Sequence, residues 1–174
     1  NINGFTNIKD LNCDNNLISN IDVGNLINMT SLCCSDNLLT SLDLSGLTNI
    51  VSLCYGNQSM NAVDTSHLTN LIVFAYGGGG ATTIDFNALT NLQKVWAWNS
   101  NLTSLDISNL PLVDEIRLAG NNALTYLNMK NGGHFRFSSD PIDNYSTKFW
   151  SNPNLLYVCT NEVDQVAVNN ELTV

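Results

Sequence analysis

Two tryptophans and the charges around them are the residues of this chain best suited to chemistry. Trp96 and Trp98 bracket Ala97, with Lys94 just before them and Glu115, Arg117, His134 and Arg136 further along the chain. Paired indoles beside guanidinium groups offer apolar area, cation–π attraction and bidentate hydrogen bonding, which is the make-up of a recognition hot spot. Five aspartates, Asp22, Asp43, Asp64, Asp85 and Asp106, form a second set at constant spacing. Stacked carboxylates repel, so something must compensate. Hydrogen bonds from turn amides and nearby hydroxyls, as at Thr40-Ser41 and Thr103-Ser104, are the expected means. A calcium ladder on these five residues is the sharper alternative, but the flanking columns supply mostly neutral oxygens and no Glu, so no cofactor is expected.

Enzymatic signatures do not emerge. The sequence has no nucleophile elbow, no H-E-x-x-H and no phosphate loop with a Lys, and Gly77-Gly78-Gly79-Gly80 lacks a following helix. The run Asp10-Leu11-Asn12-Cys13-Asp14-Asn15 starts like a calcium loop but lacks the Gly and distant Glu that close one. Four N-x-S/T triplets, at Asn28, Asn57, Asn101 and Asn144, are discounted in a chain so rich in Asn, Ser and Thr. With 15 acidic and 6 basic residues the formal charge is -9. That makes nucleic acid and anionic membranes poor partners. The bases are also uneven, since residues 1–90 contain Lys9 alone against seven Asp.

What positions these residues is a repeat. Leu11, Leu32, Leu53, Phe74, Val95 and Ile116 lie 21 apart, and two further periods reach Val158. A period of this size marks a solenoid, in which each coil buries its apolar edge against its neighbours. Alternation at Leu11 and Cys13, then at Leu32 and Cys34, is that of a short strand with one face buried, so positions 10, 12, 14 and their equivalents face outward. Stacked coils place these strands side by side in a parallel sheet at roughly 4.8 Å spacing. The outward face therefore collects Trp96, Trp98, Lys94, Glu115 and Arg117, followed by His134 and Arg136.

The same ruler assigns the remaining polar residues. Asn7, Asn28, Asn49, Asn70, Asn91 and Asn154 form one column, and Asn16, Asn37, Gln58, Gly79, Ser100 and Asn121 another; inward-facing Asn at these corners would bond backbone groups of adjacent coils. The glycine run replaces such a corner and predicts a flat, mobile turn. Cys13 and Cys34 fall in the buried column, and Cys33, Cys54 and Cys159 outward. Cys33 and Cys34 point to opposite faces, and His67 and His134 are isolated, so free thiols and no zinc site are expected. Cys33 and Cys54 lie on adjacent coils, near enough by Cα distance for a disulfide but with poorly oriented Cβ atoms.

The first half of each period reads Ile8-x-x-Leu11-x-Cys13-x-x-Asn16, Met29-x-x-Leu32-x-Cys34-x-x-Asn37 and Val113-x-x-Ile116-x-Leu118-x-x-Asn121; the second reads Leu39-x-x-Leu42-Asp43-Leu44 and Leu102-x-x-Leu105-Asp106-Ile107. This resembles the leucine-rich repeat family, in its short bacterial class with LxxLxLxxN and a nested LxxLDL, as in internalin-like secreted or surface proteins. The resemblance implies a mainly β, right-handed solenoid with a parallel sheet on the concave face, short strands or turns opposite, and little helix. Residues 1–159 would form about eight coils, the seventh degenerate between Lys130 and Trp150. Residues 160–174 would be a C-terminal cap, with Asn161 capping a short helix through Val163, Val166 and Ala167, and with Phe149 and Trp150 serving the closure.

By the same resemblance the chain would be a non-catalytic recognition or adhesion domain of a secreted or cell-surface bacterial protein, not an enzyme. Its partner would be a host or bacterial surface protein, or a glycan, met on the outward face. A carbohydrate-binding module using the paired indoles and a rigid spacer are the alternatives. No membrane insertion is expected, and a leader and sorting sequences are expected outside this stretch.

Overall fold

In the computed structural model of the chain, all residues are described except 1, 3, 58, 138–146, 173 and 174. Gln58 and Asn144, named above, therefore lie outside the described residues. Ten short strands form among the described residues: β1 (Asp10–Asn12), β2 (Ser31–Cys33), β3 (Ser52–Tyr55), β4 (Val73–Gly77), β5 (Lys94–Trp98), β6 (Ser104–Asp106), β7 (Glu115–Ala119), β8 (Tyr126–Asn128), β9 (Lys148–Trp150) and β10 (Tyr157–Cys159). Among the described residues they make a seven-stranded parallel sheet in the order β1-β2-β3-β4-β5-β7-β9 and a three-stranded one in the order β10-β8-β6. The chain is thus a mainly β solenoid with one sheet running its length and a second across the back of its later coils.

The register follows the apolar column. Leu11, Leu32, Leu53, Phe74, Val95 and Ile116 are successive partners. From Leu32 onward they are at most 1% exposed, whereas Leu11 on the edge coil is half-buried. The second inward column runs through Cys34, Tyr55, Tyr76, Ala97 and Leu118, so volume changes from coil to coil. Where it is largest, aromatic edges take up the space: Tyr55 and Phe74 meet at 5.7 Å and 83°, and Phe74 and Phe86 at 5.1 Å and 89°. Each such ring contributes about 2–3 kcal/mol by leaving water.

The asparagine columns do staple the stack, in two different settings. Asn37 is buried and donates to the carbonyls of Cys13, Cys34 and Ser35 at 2.9, 3.1 and 3.0 Å, while its Oδ1 accepts the Ile18 amide. Asn121 does the same from the Ala97 carbonyl to Ser100. The other column, expected to face inward, is exposed. Asn28, Asn49, Asn70 and Asn91 each donate across the surface to a carbonyl of the preceding coil, at 2.8–3.2 Å. The glycine corner is closed rather than loose: the Tyr76 hydroxyl accepts the Ala81 amide at 2.9 Å and donates to the Met60 carbonyl. A Cβ on Gly79 would collide with that hydroxyl. Tyr76 thus substitutes for the missing Asn.

The counting breaks after β7. Arg136, 21 residues beyond Glu115, still enters register, its amide donating to the Asp114 carbonyl at 2.8 Å. The chain then rejoins the sheet at Thr147, whose Oγ1 accepts the Ile116 amide from 31 positions away. Ten extra residues in this coil carry Val158 out of the main column: it pairs with Leu127 in the second sheet, so it is not an eighth position of the first. Beyond it a 3-10 turn over Glu162–Asp164 leads into helix α1 (Gln165–Leu172), which packs against β9. Asn161 does not cap this helix with its side chain. Its Nδ2 donates to the Gly133 carbonyl at 2.8 Å instead. Val163 and Val166 are exposed, whereas Asp164 and Val168 are buried.

Candidate functional site

Strand β5 presents Lys94, Trp96 and Trp98 outward because Val95 and Ala97 fill the core beneath. Its neighbour β7 sets Glu115 beside Lys94 and Arg117 beside Trp96. Glu115 is the hub. Its side chain is fully buried, yet its oxygens lie 2.8 Å from Arg117 Nε, 3.3 Å from Lys94 Nζ and 3.2 Å from Arg136 Nη2. The Trp96 indole N–H donates to Oε1 at 2.8 Å. Burying an ion is expensive unless it is multiply paired, and this carboxylate has three cations and an indole donor.

Trp96 is held from both sides of the same cluster. Arg117 Cζ is 4.9 Å and Lys94 Nζ 5.9 Å from its ring centre, each contact contributing about 0.5–1 kcal/mol at a half-exposed site. Arg117 Nη2 is buried with no acceptor among the described residues. Arg136 also pairs with Asp114 at 3.0 Å. Lys94, Arg117 and Arg136 thus gather around the two carboxylates Asp114 and Glu115, in a chain whose total charge is -9. Trp98 behaves differently: it lies over Gly77 of β4, where any Cβ would run into the indole. Ala75, beside Trp96 in register, is likewise only 3% exposed despite facing outward. The Trp98 indole thus lies down over β4, whereas the Trp96 indole is held toward β7 by Glu115 and Arg117.

Of the seven residues named from sequence, Lys94, Trp96, Glu115, Arg117 and Arg136 converge, and Trp98 adjoins them. His134 does not. Its Nδ1 is 2.7 Å from Asp164 Oδ1, so it belongs to the closure under α1. Sequence reasoning missed Asp114, Lys148 and Trp150. Lys148 is buried in the Arg117 column, and Trp150, assigned to the closure, instead stands 48% exposed in the Trp98 column, while Phe149 packs inward against Phe137. Asp114 was legible as the neighbour of Glu115 one period before Arg136; the other two were hidden by the ten-residue excursion.

At the other end of the same face, β2 and β3 set Cys33 and Cys54 side by side in the Trp96 column. With Asp14 they form, among the described residues, a group whose ligand atoms all lie within 4.8 Å of one another. The hydrogen bond between the two thiols pushes Cys33 up and Cys54 down, because it stabilises the second sulfur as thiolate. Burial, first of all, pushes the inward Cys34 up to about 12. All five cysteines are free thiols.

The aspartate column is held by turns. Each Oδ1 accepts the amide two residues on, at Gly24, Ser45, Ser66, Asn87 and Ser108, over 2.9–3.2 Å. The donors come from the residues after each Asp, not from Thr40-Ser41 or Thr103-Ser104. Hydrogen bonds from the Ser45 amide, from the Ser66 hydroxyl and from their companion groups hold Asp43 and Asp64 below the usual carboxylate range. Asp106, although partly desolvated, is lowered by Ser108 and Asn128.

This architecture is the leucine-rich-repeat solenoid. Among solved structures the chain is similar to internalin C2 of Listeria monocytogenes, at 22% identity over 92% of this chain and 74% of that one, with a TM-score of 0.59. It is also similar to a leucine-rich-repeat protein of Leptospira interrogans, at 16% identity and the same TM-score. That alignment covers 99% of this chain but only 49% of the other, so the chain spans about half its length. No protein-family model and no curated protein matches the sequence.

Proposed function

We propose that the chain is a non-catalytic protein-recognition domain of a secreted or surface-exposed bacterial protein, binding its partner over the outward face of the main sheet at Trp96, Arg117 and Lys94. The observation that carries this reading is the buried Glu115. It fixes three long side chains and one indole before any partner arrives, so little rotamer entropy remains to be lost on binding. A half-exposed Trp in a cationic setting is the composition of an interface anchor, and Trp150 in the adjoining column extends the apolar area. The fold shared with a Listeria internalin supports recognition over catalysis and a place outside the cell. No helix among the described residues is long and apolar enough to cross a membrane.

The test is capture from host-cell and bacterial surface extracts with the wild-type domain, followed by calorimetric titration of the recovered partner. Trp96→Ala and Arg117→Ala should each weaken binding by about 2 kcal/mol, or roughly thirtyfold, while circular dichroism stays native. Undiminished binding by both folded variants would sink the proposal and leave the array as a spacer. Capture of glycans alone, lost in Trp98→Ala, would replace the protein partner with a carbohydrate.

A further inference from the structure

The thiol end of the sheet face is independent of the recognition patch and carries chemistry of its own. Asp14 follows β1, Cys33 ends β2 and Cys54 lies in β3, so three consecutive coils each contribute one side chain to a single point. Their ligand atoms fall within 4.8 Å of one another, and all three residues are partly rather than fully buried. The sequence hides this because the residues are about 20 positions apart, and only the stacking of the coils brings them together.

We propose that Asp14, Cys33 and Cys54 form a binding site for a thiophilic divalent cation, zinc(II), that ties the first three coils together. Two sulfurs and one carboxylate oxygen are a three-ligand set such an ion accepts, with water at the open fourth position. Zinc–sulfur bonds of about 2.3 Å in a tetrahedron place the two sulfurs about 3.8 Å apart, within the observed spread. A disulfide needs Cβ atoms about 3.8 Å apart, and registered parallel strands hold them nearer their spacing of about 4.8 Å, so an ion bridges the two sulfurs with less distortion than a bond would.

The surroundings fit a held ion. The Ser35 amide donates to Asp14 Oδ1 at 2.9 Å, fixing the carboxylate and leaving its second oxygen to the metal. The Ser35 hydroxyl lies 3.0 Å from Cys54 Sγ, so one residue orients two of the three ligands. Residues 1–90 hold a single Lys or Arg, Lys9, leaving few cations to compete. On binding, each sulfur still carrying a proton gives it to solvent as its bond to the metal forms, and no oxidant is required.

Cobalt(II), titrated into the fully reduced chain, is the probe. The expected result is a one-to-one sulfur-to-cobalt charge-transfer band that zinc(II) abolishes by displacement, together with a rise in melting temperature when zinc is added. Cys33→Ser and Cys54→Ser should remove the band, Ser35→Ala should weaken cobalt binding roughly tenfold, and Cys159→Ser should leave it unchanged. Circular dichroism keeps unfolding apart from ligand loss. Absence of the band in reduced wild-type protein, or its persistence in folded Cys33→Ser and Cys54→Ser variants, overturns the proposal. An air-formed Cys33–Cys54 disulfide in a chain that takes no cobalt when reduced overturns it as well.

Discussion

On β2 and β3 one outward column holds Cys33 and Cys54; on β5 and β7 the same column holds Trp96 and Arg117. The column before it runs from Ser31 and Ser52 to Lys94 and Glu115, and the column after from Ser35 and Gly56 to Trp98 and Ala119. The inward positions beneath keep one apolar pattern throughout. Core packing therefore constrains one side of each strand, while the other side varies from coil to coil. Short side chains leave the early half of the face close to its backbone, able to act through sulfur and oxygen atoms. The later half is covered by indoles and guanidinium groups and offers apolar area and charge instead.

The largest expected effect that sharpens this contrast is at Glu115. Glu115→Leu removes the carboxylate that Lys94, Arg117 and Arg136 share, leaving Asp114 paired with Arg136 alone, and should cost about 2–3 kcal/mol in urea unfolding. That is below the figure for a wholly buried pair because the cations keep some water. An equal loss on Ser52→Leu, at the corresponding position of the thiol half, would mean the two halves do not differ in this respect. A smaller effect is expected from Arg136→Ala, which removes a half-exposed partner while Lys94 and Arg117 remain: about 0.5–1 kcal/mol by the same measurement. A cost several times larger would place the hub at Arg136 instead of Glu115.

The smallest effect should ignore the division altogether. Asp43, Asp64 and Asp106 span both halves, and their folded-state values are lowered, so the stability they supply is present above the ordinary carboxylate range and is lost as pH falls through the lowered values. Melting temperature should therefore decline modestly below about pH 4. Substituting Asn at any one of the three should flatten that decline by a similar amount. A melting temperature that rises on acidification would contradict the turn hydrogen bonds.

The fold was legible because one column of apolar residues repeats without a gap from Leu11 to Ile116, and a repeat of that length has few ways to bury itself. Lys94, Trp96, Glu115 and Arg117 were legible for the same reason: alternation against a known inward residue gives their direction. Three things were not. An insertion shifts register without changing composition, so Val158 and Trp150 were misplaced. The direction of an Asn at a corner depends on which side of a tight turn it leaves, which no period of 21 encodes, so the Asn28 column, expected inward, is exposed. The Asp14, Cys33 and Cys54 cluster has no metal-ligand spacing along the chain, because a solenoid gathers ligands across it.

The second sheet begins only at β6, so coils before it are joined at the back by isolated hydrogen bonds such as Leu38 to Ile18 and Gly80 to Met60, while later coils are joined by strands on both sides. For a molecule held at its two ends under tension this makes the array mechanically graded. Coils peel in sequence in a nearest-neighbour stack, and those hydrogen-bonded along one side yield at lower force than those bonded along two. Load would therefore extend the early coils, with their thiols, while the coils that carry the tryptophan and arginine face stayed folded.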